Sequence, residues 1–253
     1  MKQVWIVSGL VVAALAVAAL IVKGHDGTKQ PSPLPPIGQD AEASGLPWQI
    51  EVLRNGGSMV MGLTLSHDGS KGSTLQAVSD QWGQGMEVAI VAAPGENGTL
   101  EAFVDPASAG FITGKAVITV QLPAAEIKAM RERAVKSAFM DSTTRKYTLA
   151  AADLQAAMQA PIQSLSFIPQ ANLDEATVVG RFGQPAERVR SSAHVEHFLY
   201  PGKGLDLALD TEGKELLQYV APARFELLRA PLKASLKAPL KAALTASQPR
   251  TPP

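Results

Sequence analysis

The chain contains no cysteine. That absence excludes disulfides, thiolate metal sites, iron–sulfur clusters, a cysteine nucleophile and the acylated cysteine of a lipoprotein. It has no charge excess either: Lys plus Arg and Asp plus Glu both number 23, so the field that drives non-specific nucleic-acid binding is missing and neither DNA nor RNA is expected as a partner. Aromatic residues are scarce at 5% although hydrophobic residues reach 46%, so any core has to be built from Val, Leu, Ile and Ala. With 253 residues, two small modules fit once an anchor and tails are set aside.

Recognisable chemistry is missing too. No Gly-x-Ser-x-Gly elbow occurs, and no Ser-x-x-Lys set sits on a strand-to-helix step. Gly69 to Thr74 lacks the spacing of a phosphate-binding loop, and Pro201 to Gly204 links two strands where such a loop needs a helix. His194 and His197 form the only close histidine pair; in an extended strand a spacing of three puts them on opposite faces, where they cannot share a metal. His67 reads as part of a turn, and His25 falls in a linker. Asp206 and Asp210 share one face of a strand and read as exposed acids on an outer sheet surface. No catalytic, cofactor-binding or metal-ligating residue is therefore nominated, and no cofactor is implied.

What is present begins with an apolar run from Val4 to Val22, broken only by Ser8 and Gly9. At about 1.5 Å per residue it just crosses a hydrocarbon core of roughly 30 Å. Lys2 and Ala16-Val17-Ala18 also suit a cleaved leader, but Ala19 to Val22 stay apolar where a leader turns polar, which favours a retained signal-anchor over 1–23. Lys2 on one flank is nearly balanced by Lys23 and Lys29 on the other. A short N-terminal stub that stays cytoplasmic places the body outside, giving a single-pass inner-membrane protein with its body in the periplasm. Residues 24–47, with Pro31, Pro33, Pro35 and Pro36, read as an extended tether.

The expected fold class is α+β: the transmembrane helix, then two modules, each a short helix with an antiparallel three-stranded meander. The first module, 48–122, opens with a hairpin at Trp48 to Leu53 and Met59 to Leu65 around Asn55 to Gly57. A helix then runs from a cap at Ser73 to a stop at Gly83, and strands follow at Met86 to Ala92, Thr99 to Val104 and Lys115 to Leu122. A helical connector occupies 123–170, with surface helices over Ala124 to Met140 and Leu149 to Met158 and an extended Leu165 to Ile168. The second module, 171–229, repeats the order: a helix closing on Phe182 and Gly183, then strands at Glu187 to Tyr200, Gly204 to Asp210 and Glu215 to Val220. Leu75 to Gly83 and Asp174 to Gly183 each close an amphipathic helix on an aromatic and a glycine, which suggests an internal duplication. In the tail, 230–253, Leu232, Leu236, Leu240 and Leu244 recur every four residues, but Pro231 and Pro239 interrupt them. A basic disordered or transiently helical tail fits, with an anionic-lipid or partner-binding helix as the alternative, and its removal is expected to leave the fold intact.

The run Phe182-Gly183-Gln184-Pro185 after a short helix, a strand reaching Tyr200, one at Leu205 to Leu209 ending in Asp210, and a last one at Leu216 to Val220 resemble the SmpA/OmlA (BamE-like) envelope module. The resemblance covers mainly 173–220, with a weaker echo over 63–122. It departs in anchorage, since this chain has a helix in place of an acylated cysteine. What it implies is a habit of binding other proteins. The expected function is thus a membrane-anchored envelope protein acting as an interaction or scaffold module. The alternative is a periplasmic enzyme or small-ligand binder whose site residues are dispersed in the sequence.

Overall fold

A computed structural model describes Leu34, Pro36 and residues 44–234, apart from 69–71, 84 and 141–142. The expected anchor, most of the tether and the tail beyond 234 lie outside the described residues. Within them, no helix is long and apolar enough to cross a membrane.

Three short strands, β1 (Glu51–Val52), β2 (Ser58–Val60) and β3 (Leu63–Leu65), form a small antiparallel sheet. Gly62, at φ 78°, supports the turn between β2 and β3. Helix α1 (Leu75–Trp82) leads into β4 (Glu87–Ala92), β5 (Thr99–Ala109) and β6 (Ile112–Val120). Then come α2 (Ala124–Glu132), β7 (Lys136–Phe139), β8 (Arg145–Thr148), α3 (Ala151–Met158) and β9 (Ile162–Pro169). Helix α4 (Glu175–Phe182) precedes a last meander of β10 (Glu187–Arg190), β11 (Val195–Tyr200), β12 (Leu205–Asp210) and β13 (Leu216–Val220). Residues 226–234 are again helical.

The protein is mostly β, which corrects the expected pair of separate α+β modules. One sheet of ten strands runs β10, β11, β12, β13, β9, β6, β5, β4, β8, β7. Strand β9 makes the difference, because it pairs antiparallel with β6 on one side and β13 on the other and sews both meanders together. All eight of its residues are buried, as a central strand with both faces covered requires. The helix expected to reach Met140 ends at Glu132, and residues 136–139 pair with 145–148 as an edge hairpin. The expected single strand from Glu187 to Tyr200 is likewise a hairpin, turning at 191–194.

The two short helices and their glycine stops lie where they are expected. Helix α1 is capped by Thr74 (φ −103°, ψ 171°) and ends on Gly83 (φ 88°, ψ −175°), while α4 is capped by Asp174 (φ −106°, ψ 170°) and ends on Gly183 (φ 83°, ψ −174°). In each, the cap side chain accepts the backbone N–H three residues on, satisfying one of the orphan donors of the first turn. The cap of α1 is Thr74, one residue past the expected Ser73. Both helices are eight residues long, so they share local form, although three strands follow α1 and four follow α4.

The helices pack on one face of the large sheet. Alternate residues such as Leu100 and Ala102, Ala116 and Ile118, Leu165 and Phe167, Leu217 and Tyr219, and Leu205 and Leu207 point there, meeting Val78 of α1, Met130 of α2, Ala157 of α3 and Phe182 of α4. Tyr219, fully buried, donates its hydroxyl to Pro47 O at 3.0 Å and ties the start of the body to the sheet centre. The other face has three smaller apolar patches. One gathers Leu199 and Val220 with Phe225, Leu228 and Leu232, so helical residues 226–234 lie across that face. The part of the expected tail at 230–234 is therefore packed on the sheet. The others are Ile168, Ala208 and Leu216, and Val91 and Val117 beside Phe103 and Met140.

Candidate functional site

The second sheet face carries a polar stripe between those patches. Register places Asp206 opposite Gln218, Gln218 opposite Ser166, Ser164 opposite Thr119, and Thr119 opposite Glu101. His197 lies diagonal to Asp206 on the neighbouring strand β11. Each of these side chains is at most 7% exposed, so Asp206, read from sequence as an exposed acid, lies in the interior. Buried polar groups require partners, and within the stripe His197 and Asp206 supply each other's.

At its β10 end, three residues connect in a line. The His197 Nδ1 lies 3.0 Å from both carboxylate oxygens of Asp206, and its Nε2 lies 3.1 Å from the Ser191 hydroxyl. A carboxylate can only accept, so Nδ1 carries the ring proton; in the neutral ring Nε2 then accepts the Ser191 O–H. Ser191 lies in the turn after β10, its backbone N–H donating to Val195 O at 3.1 Å, and it is exposed.

A second histidine–carboxylate pair stands at the end of the same strands. His194 Nδ1 is 2.9 Å from Asp210 Oδ1. That hydrogen bond raises the His194 pKa above its usual 6.5, outweighing the small desolvation that opposes it. Burial pushes the Asp210 carboxyl up, but the Glu212 backbone N–H and His194 together hold it below its usual value. Asp206 and Asp210 do share one face, as read from their spacing. The expectation that the two histidines face apart is corrected: His194 precedes β11, strand alternation does not govern it, and both rings reach acids on the same face of β12. Each imidazole has its own acid, and among the described residues no group of three His, Cys, Asp or Glu could hold a metal ion.

Near the other end, Glu101 is 4% exposed. The Thr99 hydroxyl donates to its Oε1 at 2.6 Å, while among the described residues its Oε2 has no hydrogen-bond partner. Burial pushes the carboxyl up to about 7, with the Thr99 hydrogen bond only partly offsetting that effect.

The sheet edges differ from each other. At the β10 edge, Arg229 Nη1 and Lys233 Nζ from residues 226–234 hold Glu187 at 2.6 and 3.3 Å, and Arg188 is bound to Glu175 of α4 at 2.6 Å. At the opposite edge all four residues of β7 are exposed, and the flanking Val135 and terminal Phe139 are 69% and 65% exposed. Met140 N–H donates to Thr144 O, so antiparallel alternation turns the backbone groups of Ala138 toward β8 and those of Ser137 and Phe139 outward. The Arg145 guanidinium lies 4.1 Å over the Phe139 ring and stiffens the exposed aromatic.

Ser191, Glu101 and the β7 edge escape a reading of the sequence. Ser191 becomes visible only once the turn at 191–194 is known, and β7 only once α2 is known to stop at Glu132. Compared with protein-family models, curated proteins and solved structures, the chain matches none of them.

Proposed function

We propose that this protein is a membrane-anchored envelope module that binds another protein by accepting an extended segment along β7. The observation that carries this reading is the contrast between the two sheet edges. Unpaired strand edges invite another strand, and proteins blunt the edges they do not use with charge, shortness or cover. The β10 edge is tied down by ion pairs from two helical segments, whereas β7 presents Ser137 and Phe139 backbone groups with two large apolar side chains beside them. Main-chain pairing supplies affinity in strand addition, and alternate side chains supply selectivity. The exposed Lys136 together with Val135 and Phe139 suits a partner segment that mixes acidic and apolar residues. The apolar run at 4–22, the proline-rich tether and the resemblance of 173–220 to BamE-like envelope modules support placing the body in the periplasm.

The test is a photo-crosslinking residue at position 139 of the full-length chain in cells, with position 212 as an exposed control. Ser137→Pro removes an outward N–H and leaves the bonds to β8 in place. The expected result is a discrete adduct from position 139 that disappears in Ser137→Pro while the melting temperature changes by only a few degrees. Equal adducts from 139 and 212, or an adduct indifferent to Ser137→Pro, would refute strand addition. Protease added to spheroplasts should digest the body; full protection would overturn the periplasmic placement.

A further inference from the structure

We infer that Ser191 is a nucleophile, activated through His197 and Asp206 for acyl transfer from esters presented from solvent. The juxtaposition that carries this is a hydroxyl in the turn after β10, an imidazole on β11 and a carboxylate on β12 joined end to end, with only the hydroxyl residue exposed. Asp206 and His197 are 3% and 6% exposed, so sheet packing fixes the ring while the Ser191 side lies open. The Nδ1 proton is committed to Asp206, which leaves the Nε2 lone pair 3.1 Å from Ser191 Oγ, within reach for general-base action. The neighbouring Ser192 shows the ordinary use of a turn hydroxyl, accepting the backbone N–H of Val195 at 3.1 Å and of His194 at 3.3 Å.

In the step proposed, Ser191 Oγ forms a bond to the ester carbonyl carbon as its proton passes to His197 Nε2. The bond from that carbon to the alcohol oxygen then breaks, and the alcohol leaves with the proton from Nε2. Water attacks the acyl-serine, gives its proton to Nε2, and releases the carboxylic acid as Oγ regains a proton. Asp206 is a positioning residue, holding the ring and stabilising the transient imidazolium.

The experiment treats the full-length chain with a fluorophosphonate and maps the adduct by mass spectrometry. The probe's phosphorus joins Oγ and fluoride leaves. Ser192 is an internal reference in the same turn of the same folded molecule. General-base activation of this kind contributes about 10²–10⁴-fold, so Ser191 should label at least about 100-fold faster than Ser192. Ser191→Ala should abolish that adduct and the acyl-enzyme burst with p-nitrophenyl acetate, and His197→Gln should bring the Ser191 rate down to that of Ser192. Absence of a Ser191 adduct, equal rates at the two serines, or an unchanged rate in a folded His197→Gln protein would each overturn the proposal. Should His197→Gln fail to fold, the ratio of the two serines in the unaltered chain decides alone.

Discussion

Replacing Glu101 by Gln should make the protein more stable at alkaline pH and leave it nearly unchanged at pH 4. The carboxyl is 4% exposed, and burial pushes its pKa from 4.5 up to about 7. In the unfolded chain the acid ionises near its ordinary value. Between those two values the folded state holds a proton that the unfolded state has released, so stability falls as pH rises from about 4.5 to about 7 and then levels off. At about 1.4 kcal/mol for each pKa unit, the loss amounts to about 3 kcal/mol. Glutamine has the shape of the neutral acid and can still accept the Thr99 hydroxyl, but it does not titrate. Urea unfolding of both proteins at pH 4, 5, 6, 7 and 8 isolates this group, because every other titration is common to the pair. The difference between variant and wild type should grow from near zero to about 3 kcal/mol, or roughly 6–12 °C in melting temperature. Parallel stability curves would refute the assignment of a buried, protonated Glu101.

Other expectations follow from the same structure. The His194 imidazole, followed by NMR, should titrate above 6.5 and move back down in Asp210→Asn; a wild-type value at or below 6.5 would contradict the ion pair. Its raised pKa means its contribution to stability is fully present below 6.5 and is lost as pH rises through the folded-state value. Tyr219→Phe leaves the Pro47 carbonyl without its buried donor and should cost about 1–3 kcal/mol in chemical denaturation, with no change in the far-ultraviolet spectrum. Leu232→Ala should cost about 2 kcal/mol if residues 226–234 pack on the sheet as described, and a neutral result would restore the reading of 230–253 as a dispensable tail. Gly204→Ala should cost at least about 2 kcal/mol by the same assay, since its φ is +69° and an added Cβ would sit 2.0 Å from Val220 O.

Local signals in the sequence were read more faithfully than long-range ones. The glycine stops of α1 and α4 rest on a few neighbouring residues, so their chemistry is visible in a short window, while the cap of α1 falls one residue from the expected serine. The join between the halves is not local. Ile162 to Pro169 contains Gln163, Ser164 and Ser166, which lower its apolar character, and only the pairing of β6 and β13 on its two sides makes it central. The helical spacing of Ile127, Met130 and Ala134 extended too far because Lys136 to Phe139 has no strong breaker, and pairing with β8 decided its form. The polar stripe failed for a related reason. Alternation marks which residues share a face but is silent on what covers it, so Asp206 reads as an exposed acid although Phe225, Leu228 and Leu232 pack on the same side.

The central position of β9 bears on how the chain is made. On a ribosome, β6 and β9 can pair as soon as both have emerged, but the strand that completes the other side of β9 is β13, synthesised after α4 and three further strands. Until then the nascent chain carries the seam of its future sheet as a temporary open border. The same last strand carries Tyr219, which fastens Pro47. The emergence of β13 thus closes the border and clasps the beginning of the body in one event.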